Sequence, residues 1–319
     1  MNTTTDASRA LRILVLGAGG IGGYFGGRLA QAGCDVTFLV RPRRREQIAA
    51  DGLRIDSPLG NAVVAARTVL ADEVRPDYDL VLFTCKAYDL ASAMDAVAPA
   101  MQGGCTLLPL LNGLAHFEML DARFGRANVL GGTAHINVTL RADGVIGHGD
   151  PLQRIVYGER GGGRSPRVES IAAAFSRSTL DAKLSEDVEQ DLWEKIVFLC
   201  ALAATTCLFR ANVREINAAP GGTQVMERAY AANAEIMRRE GREPRAAAMK
   251  AARERLTDRD GLWSASMLRD LEAGRPVEAD HIVGWMLERA RRHGVDDAIL
   301  SMAYTHLKAY EVRRESRDT

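Results

Sequence analysis

Residues 11–22 read LRILVLGAGGIG, and this stretch predicts the fold of the first half of the chain. An apolar run leads directly into the pattern G-x-G-x-x-G, which is typical of a dinucleotide-binding βαβ unit. Gly17 permits the tight turn, Gly19 lets backbone approach a pyrophosphate, and Gly22 lets the next helix pack closely on the strand. The residues expected to touch the dinucleotide are Gly17, Ala18, Gly19, Gly20, Ile21 and Gly22.

The sequence on both sides of the glycines fits this interpretation. Ile13–Leu16 favour a strand, residues 24–32 have helical composition, and a second strand is expected at 35–40. A complete strand–turn–helix–strand unit distinguishes a dinucleotide site from an ordinary glycine-rich turn. Phosphates would then lie at the helix N-terminus, where free N–H groups and the helix dipole favour negative charge.

The end of the second strand, VTFLVRPRRR at 36–45, indicates which dinucleotide is bound. NAD sites place an acid here for the ribose 2′-hydroxyl, whereas NADP sites place an arginine for the 2′-phosphate. The position carries Arg41 and no acid competes for it, while Arg43, Arg44 and Arg45 are interpreted mostly as a solvated surface run. We therefore predict NADP(H) as cofactor, with Arg41 as its 2′-phosphate ligand.

Composition limits the remaining function classes. The 319 residues suffice for two domains, and 41 basic residues balance 41 acidic ones. A formal charge of zero gives no field for nucleic acid or a membrane surface, so a small-molecule partner is expected. A polar start and the absence of a long apolar segment predict neither a signal peptide nor a spanning helix, hence a cytoplasmic protein. The five cysteines and six histidines show no metal-site spacing, so no metal is expected.

The chain divides into an alternating half and a helical half. From residue 11 to about 183, β-rich runs alternate with helical ones, which predicts a mostly parallel sheet covered by helices. From about residue 187 helical periodicity continues to the end. We predict an α/β, Rossmann-type dinucleotide-binding domain at 1–186, followed by an all-helical domain at 187–319. The later strands are expected at Leu80–Thr84, Thr106–Leu111, Val129–Thr133, Val145–His148 and Arg154–Tyr157, and the helices at 187–210, 221–240, 245–257, 264–273, 276–293 and 297–314.

Lys195 lies in DLWEKIVFLCALAA, where it is followed by an uninterrupted apolar run. A lysine on a half-buried helix face has a lowered pKa, which suits it to donate a proton near neutral pH. Helical spacing equally allows an ion pair with Asp191, four residues earlier. Spacing alone leaves both interpretations open.

Four other polar residues have two interpretations each. Asn112 and Lys86 follow predicted strands and are either turn residues or ligands at the carboxyl ends of the sheet, where such folds bind ligands. Ser266 is either a helix cap or a substrate ligand. Glu278 either complements a helix dipole or points inward, because it shares a helical face with Ile282.

Taken together, several stretches resemble the ketopantoate reductase family, the 2-dehydropantoate 2-reductases. They are GAGGIG at 17–22, CKAY with Lys86, LLNG with Asn112, LWEK with Lys195, and SMLRDLEAGRPVEAD with Ser266 and Glu278. These stretches occur in family order and span nearly the whole chain. The resemblance implies NADPH-dependent reduction of a 2-oxo acid to a 2-hydroxy acid, as in the conversion of ketopantoate to pantoate in pantothenate biosynthesis.

The resemblance also implies roles for individual residues. Lys195 matches the family's proton donor, and Asn112 matches an asparagine that touches both cofactor and substrate. Ser266 and Glu278 match residues of the substrate site, the glutamate also lying near the cofactor. Lys86 matches a lysine beside the nicotinamide ribose. The catalytic set is thus Lys195, Asn112 and Glu278, and a helical second domain is compatible with a homodimer.

The chain departs from the family at three positions. Better-known members carry substrate-binding asparagines where this chain has Leu199, Ala203 and Val213. The substitutions imply an altered substrate preference, unless nearby groups compensate, namely Thr205, Thr206, Arg210 and Arg214. The alternatives are reduction of a more apolar 2-oxo acid, as in mandelate-type dehydrogenases, and a non-catalytic NADP-binding regulatory protein.

Overall fold

The computed structural model describes residues 10–318 and consists of two compact units. The first comprises the residues up to Leu111 together with Glu118–Val188, and the second comprises Asn112–Phe117 together with the residues from Glu189 onward. The chain therefore passes into its second unit after Val188, and one short internal segment also belongs to that unit. This segment contains Asn112.

Within the described residues, the first unit contains ten strands and five α-helices, the fourth of which begins in the internal segment of the second unit. In chain order they are β1 (Arg12–Leu16), α1 (Gly20–Gln31), β2 (Asp35–Leu39), α2 (Pro42–Asp51), β3 (Leu53–Asp56), β4 (Ala62–Val64), β5 (Arg67–Val69), β6 (Leu80–Phe83), α3 (Leu90–Met101), β7 (Thr106–Pro109), α4 (His116–Phe124), β8 (Gly131–Leu140), β9 (Ile146–Gly158), α5 (Pro166–Phe175) and β10 (Asp181–Leu184).

One sheet of the first unit is entirely parallel, with strand order β5-β2-β1-β6-β7. β1, which carries the glycine-rich loop at its carboxyl end, lies between β2 and β6. The central strands are buried on both faces, as the continuous apolar runs of β1 and β6 require. This parallel sheet confirms the predicted Rossmann-type half.

The remaining strands form a second, mixed sheet that the sequence did not predict. Its order is β10-β9-β3-β4, and β8 pairs antiparallel with β9. The strands expected at Val145–His148 and Arg154–Tyr157 are one 13-residue strand, β9. Two glycines and a proline interrupt its apolar pattern, but the ladder with β8 continues through a register shift between Ile136 and Val138.

Helix α1 packs against both sheets through glycines on two of its faces. A Cβ at Gly26 would lie 2.7 Å from Phe38, in β2 of the parallel sheet. A Cβ at Gly27, one residue on, would lie 2.8 Å from Ile55, in β3 of the mixed sheet. Because successive helical residues point about 100° apart, small residues on both faces let one helix approach two sheets.

The regular elements that the structure describes beyond Val188 are all helical, which confirms the predicted second half. They are α6 (Val188–Phe209), α7 (Val213–Ala218), α8 (Gly222–Arg239), α9 (Ala246–Leu256), α10 (Ser266–Glu272), a π-helical segment (Asp280–Gly284) that continues into α11 (Trp285–His293), and α12 (Ala298–Asp318). The short α7 was not predicted. The helix expected at 276–293 begins instead with the π-helical segment.

Helix α6 is the one described helix that is long and apolar enough to cross a membrane by length and composition. The expectation of no long apolar segment was therefore wrong for this stretch. Within its most apolar window, 61% is buried inside the protein, as in a core helix. An amphipathic pattern is weak here because the helix is covered on most sides.

We expect Gly22→Ala to destabilise the first unit. A Cβ there would overlap the Gly17 carbonyl oxygen, which is backbone, and the Thr84 hydroxyl. Overpacking of this kind costs about 1–3 kcal/mol, measurable by denaturant unfolding. Gly161→Ala is the control, because its Cβ would enter open space. Equal stability of the two variants would contradict the close packing of α1 on β1.

Candidate active site

The glycine-rich loop, residues 17–22, offers open space beside its backbone. Gly17 has a φ of +85°, and its N–H donates to the Leu39 carbonyl at 2.8 Å, which ties the loop to the end of β2. A Cβ at Gly17 or Gly19 would meet nothing within 4 Å. Helix α1 begins here without a side-chain cap. Open space lined by backbone at a helix N-terminus fits a pyrophosphate group.

Arg44 fastens this loop to its surroundings, a role that the sequence did not reveal. Its Nε donates to the Ala18 carbonyl at 3.0 Å, and its Nη1 donates to the Gly144 carbonyl at 2.9 Å. Partial burial, together with the positive charge of Arg54, lowers the pKa of Arg44. Arg44 therefore connects the loop to α2 and to the β8–β9 turn, and it is not part of a solvated run.

Arg41 stands at the N-cap of α2, immediately beyond β2, and its side chain is 79% exposed. Its Nη2 lies 3.1 Å from Oδ1 of Asp89. The strand end itself carries no acid, as the sequence shows, but an acid from elsewhere in the chain pairs with Arg41. Asp89 is 48 positions away in the sequence, and it follows β6, on the other side of β1.

Lys86 is half-buried just beyond β6, at the carboxyl edge of the parallel sheet. Its carbonyl accepts the Asp89 N–H at 2.9 Å in a short 3₁₀ turn, Ala87–Asp89. At the same edge, the Thr84 hydroxyl donates to the Leu16 carbonyl at 2.6 Å. These bonds fix the chain that leaves β6 next to the glycine-rich loop.

A second group of predicted residues comes together in the helical unit. The Nζ of Lys195, on α6, donates to Oδ1 of Asn112 at 3.1 Å across 83 positions of sequence. Both residues belong to the second unit, because Asn112–Phe117 is its internal segment. The acceptor is a neutral amide oxygen, so the bond does not neutralise the ammonium, and it fixes where the Nζ group points.

The Asn112–Gly113 turn packs tightly on the π-helical segment. Gly113 has a φ of +84°, and a Cβ there would lie 2.6 Å from the His281 carbonyl oxygen. Only glycine fits both the conformation and the space. Glu278 lies two residues before the π-helical segment and is 7% exposed, so its carboxylate is largely removed from water. Rare π-helical turns occur frequently at functional sites.

Removal from water lowers the pKa of Lys195 to about 8, and the negative charge of Glu278 opposes that shift. The structure thus brings together the three residues to which the sequence analysis assigned catalytic roles. Asp191, the ion-pair partner that helical spacing also offered, accepts a hydrogen bond from Arg245, which additionally binds Glu194 at 2.7 Å. A lysine that titrates near neutral pH can donate a proton to a reacting oxygen.

Ser266 is the first residue of α10, and Ala265 occupies the N-cap. Thr206 links this helix start to α6, because its buried hydroxyl donates to the Leu202 carbonyl at 2.7 Å and accepts the Ala265 N–H at 3.4 Å. The hydroxyl of neighbouring Thr205 donates to the Ala201 carbonyl at 2.7 Å. Both threonine hydroxyls are thus used inside the fold.

The three positions that lack the family asparagines are buried to different degrees. Leu199 is half-buried, whereas Ala203 and Val213 are fully buried. Arg210 and Arg214 are exposed, and Arg210 donates to His306 at 3.2 Å. Of the four residues considered as replacements, the two threonines are therefore engaged inside the fold and the two arginines lie at the surface.

Comparisons with known proteins agree with the division of the chain into an α/β part and a helical part. Family models described as ketopantoate reductase PanE/ApbA and its C-terminal part match residues 13–162 and 187–311. The chain belongs to the ketopantoate reductase family. It is therefore a member of an oxidoreductase family, and the two matched regions correspond to the α/β and helical parts of the chain.

Individual relatives cover almost the full length. The chain is 35% identical to an uncharacterized oxidoreductase, YkpB, of Bacillus subtilis strain 168, over 95% of this chain and 100% of that protein. It is 30% identical to a 2-dehydropantoate 2-reductase of Halobacterium salinarum, over 89% and 94%. A D-mandelate dehydrogenase solved with NADH and anilino(oxo)acetate shares the fold, with 21% identity, a TM-score of 0.85, and 96% and 100% coverage.

We expect Glu278→Gln to lower the pKa of Lys195 below about 8, because the variant removes the negative charge that raises it. The measurement is the pH dependence of Lys195 acetylation by acetic anhydride, followed by mass spectrometry of its peptide. Glu243→Gln is the control, since Glu243 is exposed and binds Arg238. An unchanged Lys195 pKa in Glu278→Gln would contradict the coupling.

Proposed function

We propose that the protein reduces a 2-oxo acid to a 2-hydroxy acid with NADPH. The observation that carries the proposal is Lys195, a half-buried ammonium that donates a hydrogen bond to Asn112. The negative charge of Glu278 raises the pKa of this ammonium against the effect of burial. The proposal also draws on the glycine-rich loop, whose open backbone fits a dinucleotide, and on membership of an oxidoreductase family.

A nicotinamide dinucleotide bound at the glycine-rich loop, residues 17–22, would supply the hydride that reduces the keto carbon. Lys195 donates a proton from Nζ to the carbonyl oxygen, so the hydroxyl forms and the lysine is left as a neutral amine, which water reprotonates. A pKa of about 8 keeps the ammonium populated at neutral pH while easing proton release. Asn112 orients the ammonium, and Glu278 keeps its pKa from falling further.

The remaining roles follow from the family resemblance. Ser266 and Glu278 bind the far end of the substrate, and Lys86 lies beside the nicotinamide ribose. Arg41 pairs with the 2′-phosphate, and its exposure leaves the guanidinium accessible to a ligand. This last assignment is the basis for naming NADPH as the cofactor.

The substrate class is the part of the proposal that this chain's own residues modify. Ketopantoate is the reference substrate, because a relative is named 2-dehydropantoate 2-reductase. A more apolar 2-oxo acid is favoured by the half-buried Leu199 and by the internal hydrogen bonds of Thr205 and Thr206. A non-catalytic NADP-binding protein is the contrasting possibility, and saturable NADPH oxidation with any 2-oxo acid excludes it.

We expect Lys195→Met to lower turnover by at least the roughly hundredfold that a general acid contributes. The variant keeps the apolar stem and removes the buried charge, so its melting temperature should not fall. The assay is NADPH oxidation measured across pH, and NADPH binding to the variant is the control. In the wild type, the rate of reduction should decline above a pH of about 8, because Lys195 then loses its proton. Turnover near the wild-type level would refute the catalytic role.

We expect the wild type to show poor kcat/KM for ketopantoate and better values for bulkier, less polar 2-oxo acids. A buried substrate hydroxyl left without a partner costs about 1–3 kcal/mol. Leu199→Asn should shift the ratio towards ketopantoate, and Leu199→Met is the matched apolar control. Ala203 is left unchanged because a polar side chain there would be fully buried. Ketopantoate as the best wild-type substrate would contradict the prediction.

A further inference from the structure

The ion pair between Arg41 and Asp89 crosses the edge of the parallel sheet where the glycine-rich loop lies. Arg41 follows β2 and Asp89 follows β6, while β1, which feeds the loop, lies between those two strands. The two side chains nevertheless approach to 3.1 Å. Open α/β sheets bind ligands outside the carboxyl ends of their strands. The pair therefore stands at the ligand-binding edge.

A ligand can readily separate this pair. The Arg41 side chain is 79% exposed and that of Asp89 is 39% exposed. Exposed ion pairs contribute little to stability and are screened by salt. Other arginines of the run have different contacts, since Arg44 binds the Ala18 carbonyl and Arg45 pairs with Glu73 at 2.9 Å. Among the described residues, the contact of the Arg41 side chain is thus a weak, exposed ion pair with an acid.

We infer that Asp89 is a cofactor-specificity residue that reduces the preference for NADPH over NADH. The inference rests on the proposed binding of a nicotinamide dinucleotide. With NADPH, the Asp89 carboxylate competes with the 2′-phosphate for the Arg41 guanidinium and repels the phosphate. With NADH, the same carboxylate is an acceptor available to the ribose 2′-hydroxyl, which is the role of the acid in NAD sites.

Simple electrostatics sets the size of the effect. In water, two like unit charges about 6 Å apart repel each other enough to lower an affinity about threefold, and a dianion facing a single charge lowers it about tenfold. Salt weakens the repulsion, because the Debye length at physiological ionic strength is about 8 Å. NADH carries no 2′-phosphate, so its affinity does not suffer this repulsion.

The experiment measures NADPH and NADH binding to the full-length protein by calorimetry, without a 2-oxo acid, at low and at physiological ionic strength. Asp89→Asn should raise the ratio of NADPH to NADH affinity about three- to tenfold at low salt, and less at physiological salt. Asp95→Asn is the matched control, because Asp95 forms another exposed ion pair, 3.0 Å from Arg123, between α3 and α4. It should leave the ratio unchanged.

A double-mutant comparison tests whether the effect depends on Arg41. In an Arg41→Ala background, Asp89→Asn should change the ratio less than it does in the wild type, because the phosphate is no longer held beside Asp89 and no guanidinium remains for which the two anions compete. An unchanged ratio in Asp89→Asn, or an equal shift in Asp95→Asn, overturns the inference while leaving the proposed function intact. Failure of the wild type to bind either nucleotide overturns both, whereas nucleotide binding without turnover refutes only the proposed reaction.

Discussion

The first unit depends on how closely helix α1 approaches the strands around it. Glycines on adjacent faces of this helix, such as Gly26 and Gly27, bring it against Phe38 of the parallel sheet and Ile55 of the mixed sheet. A side chain at Gly22 would overlap the turn itself. Because the helix is held this close, its N-terminus lies at the end of β1 and its backbone faces open space. The close packing of α1 and the open space at its N-terminus therefore have one cause.

The helical unit uses burial for a different purpose. Helix α6 is apolar enough to form the core of that unit, yet it places the ammonium of Lys195 beside Asn112. Desolvation, which opposes a charged side chain, is what brings its pKa down to about 8. The opposing charge of Glu278 limits this shift. Burying this ammonium thus costs some folding stability and gives a group whose pKa lies in the range where it can donate a proton.

Polar contacts over long sequence distances modify both sites. Arg44 and Arg41 are three positions apart in one arginine run, but one binds the glycine-rich loop and the other pairs with Asp89. The His281 carbonyl leaves no room for a side chain at position 113, and it lies in a π-helical segment far along the chain. No local pattern indicates such contacts, because each depends on which strands and helices become neighbours.

The first strand–turn–helix–strand unit, the parallel sheet and the helical second half followed from local periodicity and from the spacing of Gly17, Gly19 and Gly22, since these express short-range sterics. Lys195 and Asn112 could be singled out, but helical spacing equally allowed Lys195 a partner in Asp191. Their contact, the union of 145–157 into one strand, and the acid beside Arg41 arise from the folded chain. Burial and long-range pairing depend on which residues become neighbours in space, and the local sequence does not specify those neighbours.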